Sequence, residues 1–219
     1  MHRYALLILL LTSCLWAFSA DSDHSGPDRA LILDDRVESG LVRLDLIQEA
    51  QHTLDLAYYV LTPGIYLDLF SSALMDAADQ GVSVRLLTDG MFGTLRGDRD
   101  LRRALLLHPG IELRFYEPFS LFTPWRWNNR LHDKLIIADS TLMIMGGANI
   151  AERYFLPLGS KEITYDRDVV VELEDYHSPE QSVLPQVQAY FNKLWDHPFT
   201  KAPSDRITAG QEERAVQRV

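Results

Sequence analysis

Between Leu41 and Pro118, short apolar runs alternate with amphipathic stretches, and no other feature limits the fold as tightly. In "ESGLVRLDLIQEA" apolar residues recur at Leu41, Leu44, Leu46, Ile47 and Ala50, a helical spacing, with Ser39 placed to cap it. "TLDLAYYVL" then reads as a strand, "GIYLDLFSSALMDAADQG" as a helix stopped by Gly81, and "VSVRLLTDG" as a strand. "GDRDLRRALLLHPG" is a third helix and "IELRFYEP" a third strand. Helices between strands set those strands parallel and cover the sheet. The expected class is therefore α/β, with a mixed, mostly parallel sheet flanked by helices on both faces.

The second half continues differently. "FSLFTPWRWNNR" is a loop rich in aromatics, and "RLHDKLIIAD" follows as a strand. Asp139-Ser140 suits a tight turn into the return strand "TLMIMGG". "ANIAERYF" opens a helix, "DRDVVVEL" is a strand, and "VLPQVQAYFNKLWDHPF" is a closing helix. The folded domain is expected over residues 31–200, after a linker at 21–30 and before a polar tail at 201–219.

Residues 1–20 have the layout of a secretory leader, with a short basic start and an apolar run too short for a spanning helix, which needs about 20 residues. Small residues at Ser19 and Ala20 mark one processing site. "LTSC" offers another, a bacterial lipobox in which Cys14 is lipidated; otherwise Cys14 is simply a small apolar leader residue. Either route implies export to a bacterial envelope or periplasm. Cys14 is the only cysteine, so the domain relies on its core rather than on disulfides. The formal net charge of -10 disfavours nucleic acid as a general partner, since phosphate backbones attract basic surfaces.

The chemistry is concentrated in Arg130–Asn149. On a strand, residues two apart share a face, so His132 and Lys134 project together. An ammonium in an apolar strand is costly without an anionic partner. Asp139 ends the strand, as turn former and as electrostatic partner of the basic pair. Gly146 and Gly147 leave room for a ligand against the backbone. Asn149, with Glu152 three residues on, resembles a capping box, and a helix start favours phosphate. A nucleophile, a fixed cation, a glycine gap and an anion-binding helix end together suit a phosphodiester. Asp166 and Asp168 either open a strand or line this site.

"HDKLIIADSTLMIMGGAN" resembles the HxKxxxxDxxxxxxGGxN signature of the phospholipase D superfamily, and "IMGGANIAERYF" resembles most closely the first half of bacterial cardiolipin synthase-like proteins. The resemblance covers roughly residues 31–200. It implies a phospholipase D-like sandwich, catalytic roles for His132, Lys134 and Asp139, and phosphate contacts from Asn149, Gly146 and Gly147. His132 would attack phosphorus to form a phosphohistidine, Lys134 and Asn149 would hold the nonbridging oxygens, and no metal or other cofactor would be required. Such proteins use two motifs, the second histidine acting as general acid, and this sequence has one. The second would come from a homodimer partner or from the other half of a longer protein.

Three functions follow. The first is a phosphodiesterase or phosphatidyltransferase on phospholipid headgroups at a membrane surface. The second is a secreted dimeric nuclease of the same superfamily. The third is a non-catalytic phosphate- or lipid-binding half-domain. The aromatic stretch of Phe115, Tyr116, Phe119, Phe122, Trp125 and Trp127, with Arg126 and Arg130, is either a bilayer contact or a lid packed on the domain.

Overall fold

The computed structural model describes residues 26–95, 97–155, 163–204 and 206–218. The leader and Cys14 lie outside the described residues. The elements in chain order are β1 (Asp28–Leu33), α1 (Arg36–Glu49), β2 (Thr53–Tyr58), α2 (Ile65–Asp79), β3 (Ser83–Asp89), α3 (Arg99–Leu107) and β4 (Ile111–Tyr116). They continue with β5 (Lys134–Ala138), β6 (Leu142–Gly146), α4 (Glu152–Phe155), β7 (Asp168–Leu173), α5 (Leu184–Trp195), β8 (Thr200–Lys201) and α6 (Ala209–Arg218).

The eight strands of the described residues form one mixed sheet in the order β1-β7-β6-β5-β2-β3-β4-β8. The expected parallel majority is corrected: only β2–β3 and β3–β4 run parallel, and the other five pairings are antiparallel. The cause lies in the connections. Helices α2 and α3 carry the chain back across the sheet, which makes the next strand parallel. After β4 no helix does so. The loop stays at the rim where β4 ends, and β5 must run in the opposite direction. Asp139 and Ser140 then turn β5 into β6, both at positive φ (52° and 58°), the conformation of the tight hairpin turn that the Asp-Ser step favours.

The sheet separates two apolar layers. Alternate residues of β5 divide between them: Ile136 and Ala138 pack with α1, α2, α3 and α4, whereas Leu135 and Ile137 pack with Phe191 and Trp195 of α5. Gly81 ends α2 at φ 95°, its amide donating to Ala78 O at 3.0 Å.

Several local readings change. Asp35, not Ser39, caps α1, accepting from Glu38 N at 2.9 Å. Ser39 sits inside the helix and donates to Asp168. The segment read as a linker holds the start of β1, paired with β7. The segment read as a polar tail holds α6, packed on α3, with Ala215 buried and Arg218 paired with Asp68 and Asp98. No helix of the described residues is long and apolar enough to cross a membrane.

Candidate active site

Strand β5 is central, so its start is held by neighbours on both sides. The chain entering it is held by an aspartate that the sequence reading missed. Asp89 ends β3 fully buried, and its carboxylate accepts from the amides of Met91 (2.8 Å), Phe92 (2.9 Å) and Leu131 (3.1 Å). Arg130 adds an ion pair to it at 3.2 Å. Two residues past this anchor, Tyr59 N donates to Asp133 O at 3.0 Å. His132 is thus fixed from both flanks while its ring stays exposed. An aspartate at the carboxyl end of a parallel strand was the available signal, since such ends carry sites in α/β sheets.

Lys134 lies beneath that ring. Its side chain is part of a residue only 6% exposed, and its Nζ is 3.0 Å from His132 Nδ1, 3.4 Å from Nε2 and 2.7 Å from the His132 carbonyl oxygen. Burial pulls the Lys134 pKa below its ordinary value, opposed by the charges of Asp133 and Asp166. Tyr59, also missed, covers the pair: its ring centroid is 4.6 Å from that of His132 and 5.3 Å from the Lys134 nitrogen. The expected side-by-side imidazole and ammonium are therefore present.

The glycine pair and Asn149 are placed differently from the expectation. A Cβ at Gly146 would collide with the carboxylate of Asp168, and one at Gly147 with that of Asp166. The room the glycines leave is filled by protein carboxylates. Asp168 is buried in a two-point ion pair with Arg43, at 2.8 and 3.0 Å, and Arg43 also donates to Tyr58 Oη at 3.2 Å. Burial opposes the charge on Arg43, but its partners outweigh that and hold its pKa above the ordinary value. Asp166 lies over the other glycine, and its charge acts on Lys134.

Asn149 is buried, accepting from Val60 N at 3.1 Å and donating to Tyr154 Oη at 3.3 Å. The capping box does not form. Within the described residues helix α4 runs Glu152–Phe155, and Glu152 instead accepts from Ile65 N at 2.6 Å, at the start of α2. Asn149 ties the end of β2 to the turn after β6.

Asp139 is not with the basic pair. It sits at the far end of β5, about 16 Å from Lys134 at a strand rise of ~3.3 Å per residue. There its carboxylate accepts from the amides of Gln51, His52 and Thr53, each at 2.8 Å. Partial burial pushes its pKa up, but the three amides outweigh that and hold it below the ordinary carboxylate range.

A cavity of ≈ 370 Å³ opens beside His132 and Lys134, walled by Leu135, Met145, Val183, Val187 and Tyr190. Tyr190 Oη donates to Asp133 at 2.9 Å. The aromatic loop does not close over this opening: Leu121, Phe122 and Trp125 are 72%, 90% and 74% exposed. The lid reading is corrected, because the loop's polar ties, not apolar burial, hold its shape.

Residues 44–195 match the family model described as "Cardiolipin synthase, PLD-like domain". The chain is 35% identical over 158 residues to cardiolipin synthase C of Escherichia coli (strain K12), which covers 68% of this chain and 33% of that protein. It spans a third or less of the length of the curated relatives it matches. Two solved structures share the fold. Phosphatidylserine synthase of Haemophilus influenzae Rd KW20 superposes with a TM-score of 0.62 at 13% identity, over 89% of this chain and 45% of that one. Nuc, a phospholipase D family member from Salmonella typhimurium, does so with a TM-score of 0.58 at 18% identity, over 81% and 99%.

Proposed function

Since the chain belongs to the phospholipase D-like family of the cardiolipin synthases, we propose that it is a phosphodiesterase or phosphatidyltransferase acting on phospholipid headgroups. The observation that carries the reading is the exposed His132 ring with the Lys134 nitrogen 3.0 Å from Nδ1, on a backbone pinned from both sides.

In this reading a ring nitrogen of His132 attacks phosphorus and the alkoxide departs, leaving a phosphohistidine. An ammonium donating to Nδ1 uses a lone pair that attack requires. The phosphate must therefore take that hydrogen bond over, so that Lys134 stabilises a nonbridging oxygen while it frees the ring. The charges of Asp133 and Asp166 favour the ammonium against the burial that disfavours it. Asp139 stabilises the strand that carries both groups and touches neither. Asn149 positions the end of β2, and with it Tyr59.

The departing alkoxide needs a proton. The proposal assigns it to a second imidazole, from a homodimer partner or from the remainder of a longer protein. Water as acceptor then gives hydrolysis, and a lipid alcohol gives transfer. The same proposal places the protein at a bacterial envelope, exported by its leader, with Cys14 as the candidate lipid anchor.

The test uses two substrates. A p-nitrophenyl phosphodiester has a leaving group that needs no proton, so it should load His132 even without a second imidazole. Phosphatidylglycerol should give cardiolipin or phosphatidic acid only when the second imidazole is supplied. Absence of any phosphohistidine with the activated ester would refute the reading.

A further inference from the structure

Resting on the headgroup reading, we infer that the loop after β4 is a membrane-inserting knob that seats the site on a phospholipid surface. Phe92, Phe119, Leu121, Phe122, Trp125 and Trp127 form an exposed apolar rim beyond the carboxyl ends of β3 and β4. This rim is continuous with the site: His132 contacts Tyr59, and the Tyr59 ring lies 5.3 Å from that of Phe92.

The knob is built to stay out. Arg126 pairs with Glu117 at 2.8 Å, and Arg130 pairs with Asp89 and donates to Glu117 O at 2.9 Å. Trp127 Nε1 donates to Ser120 O at 2.7 Å, and the Phe119 and Trp127 rings lie 5.2 Å apart. These ties hold the base of the loop and leave Leu121, Phe122 and Trp125 projecting, so little ordering entropy is lost when they are buried.

Charge identifies the occupant. The chain carries 31 acidic and 21 basic residues, yet Pro118–His132 contains no Asp or Glu. Its two arginines are neutralised inward by Glu117 and Asp89, so the tip is uncharged. An acidic body is repelled by anionic headgroups, which leaves apolar insertion as the adhesive. Tryptophan and phenylalanine on a projecting tip suit the headgroup–acyl boundary. A second copy sharing the site would have to cover His132. The loop's base lies instead toward β4, where Phe119 N donates to Gly90 O, about three strand spacings (~14 Å) from β5.

The experiment compares the full chain with its F122S/W125S variant on vesicles of phosphatidylglycerol and phosphatidylethanolamine; the apolar leader is common to both. Co-sedimentation should show the partition coefficient falling about tenfold or more in the variant, with little response to salt. With brominated acyl chains, the W125F variant should lose a quenched component of tryptophan emission. Unchanged partition, unchanged quenching or steep salt dependence would overturn the inference. So would a dimer that dissociates in the variant while vesicle binding persists. A soluble p-nitrophenyl phosphodiester separates the two ideas: both proteins should load His132 from it equally, whereas only the unsubstituted chain should bind vesicles tightly. If no phosphohistidine forms from the activated ester in either protein while vesicle binding still falls in the variant, the headgroup reading fails and the knob stands.

Discussion

The two ends of β5 carry the same sequence motif and do opposite work. At one rim His132 is exposed and Lys134 is held within 3.0 Å of it, with burial pulling the lysine's pKa down. At the other rim Asp139 accepts three amides that lead into β2, and its pKa is held down by that satisfaction. One end keeps a charged group where folding alone would not put it. The other is a well-satisfied turn. A motif read along the chain as one triad is, in space, a reactive pair and a distant brace.

The largest effect should come from H132A. Turnover of the activated phosphodiester should fall by on the order of 10⁴ or more, with thermal stability unchanged because the ring is exposed. K134M should cost nearly as much activity yet leave the fold as stable or more so, since it removes a buried ammonium. The sign follows from linkage. A lysine whose pKa is depressed in the folded state makes stability rise with pH between that value and its unfolded value. The gain from K134M, read from denaturant midpoints, should therefore be greatest at neutral pH and shrink as pH approaches the ordinary lysine value. Equal losses of stability in H132A and D139A would erase the contrast between the rims.

Breaking the brace beneath the glycines should cost more stability than either rim. Removing one partner of a buried ion pair strands the other, so D168A should lose about 3–5 kcal/mol by urea unfolding. Next comes D139A, at about 2 kcal/mol, with kcat nearly unchanged if the protein is folded. Its pH dependence is opposite in origin to that of Lys134. A carboxylate with a lowered folded pKa contributes stability that is present above the ordinary aspartate value and lost as pH falls through the folded one. Wild type and D139A should converge in acid. The smallest effect is D45N. Burial first, and then the charge of Glu49, push the Asp45 pKa up to about 6, so this variant should be slightly more stable above that pH, with the gain shrinking as pH falls and vanishing below the ordinary aspartate value.

Legibility in the sequence follows the range of the interactions. The β2-to-β4 alternation, the Gly81 stop and the Asp139-Ser140 turn depend on neighbouring residues, and their patterns were readable. The antiparallel balance was not, because it depends on which side of the sheet the β4–β5 loop leaves the chain. Strand β1 escaped notice because it is an edge strand, with Ile32 exposed and only Leu33 buried. Helix α6 escaped because ion pairs through Arg218 and a single buried alanine hold it, and neither leaves an apolar period. In the site, the His132–Lys134 adjacency followed from strand alternation alone. Asp89 and Tyr59 come from two other segments and meet the pair only in the fold; of the two acids offered as strand openers or site lining, Asp168 opens β7 and Asp166 acts on Lys134. The glycines were read as space for a ligand; the carboxylates that occupy that space lie some 20 residues away along the chain.

The most direct measurement is the intact mass and ³¹P spectrum of the protein after exposure to the p-nitrophenyl phosphodiester, in wild type, H132A and D139N. A phosphorus–nitrogen adduct in wild type and in folded D139N, absent from H132A, is the predicted result. An adduct that survives loss of His132, or one that disappears from D139N while its fold is intact, would contradict the division of the motif between the two rims.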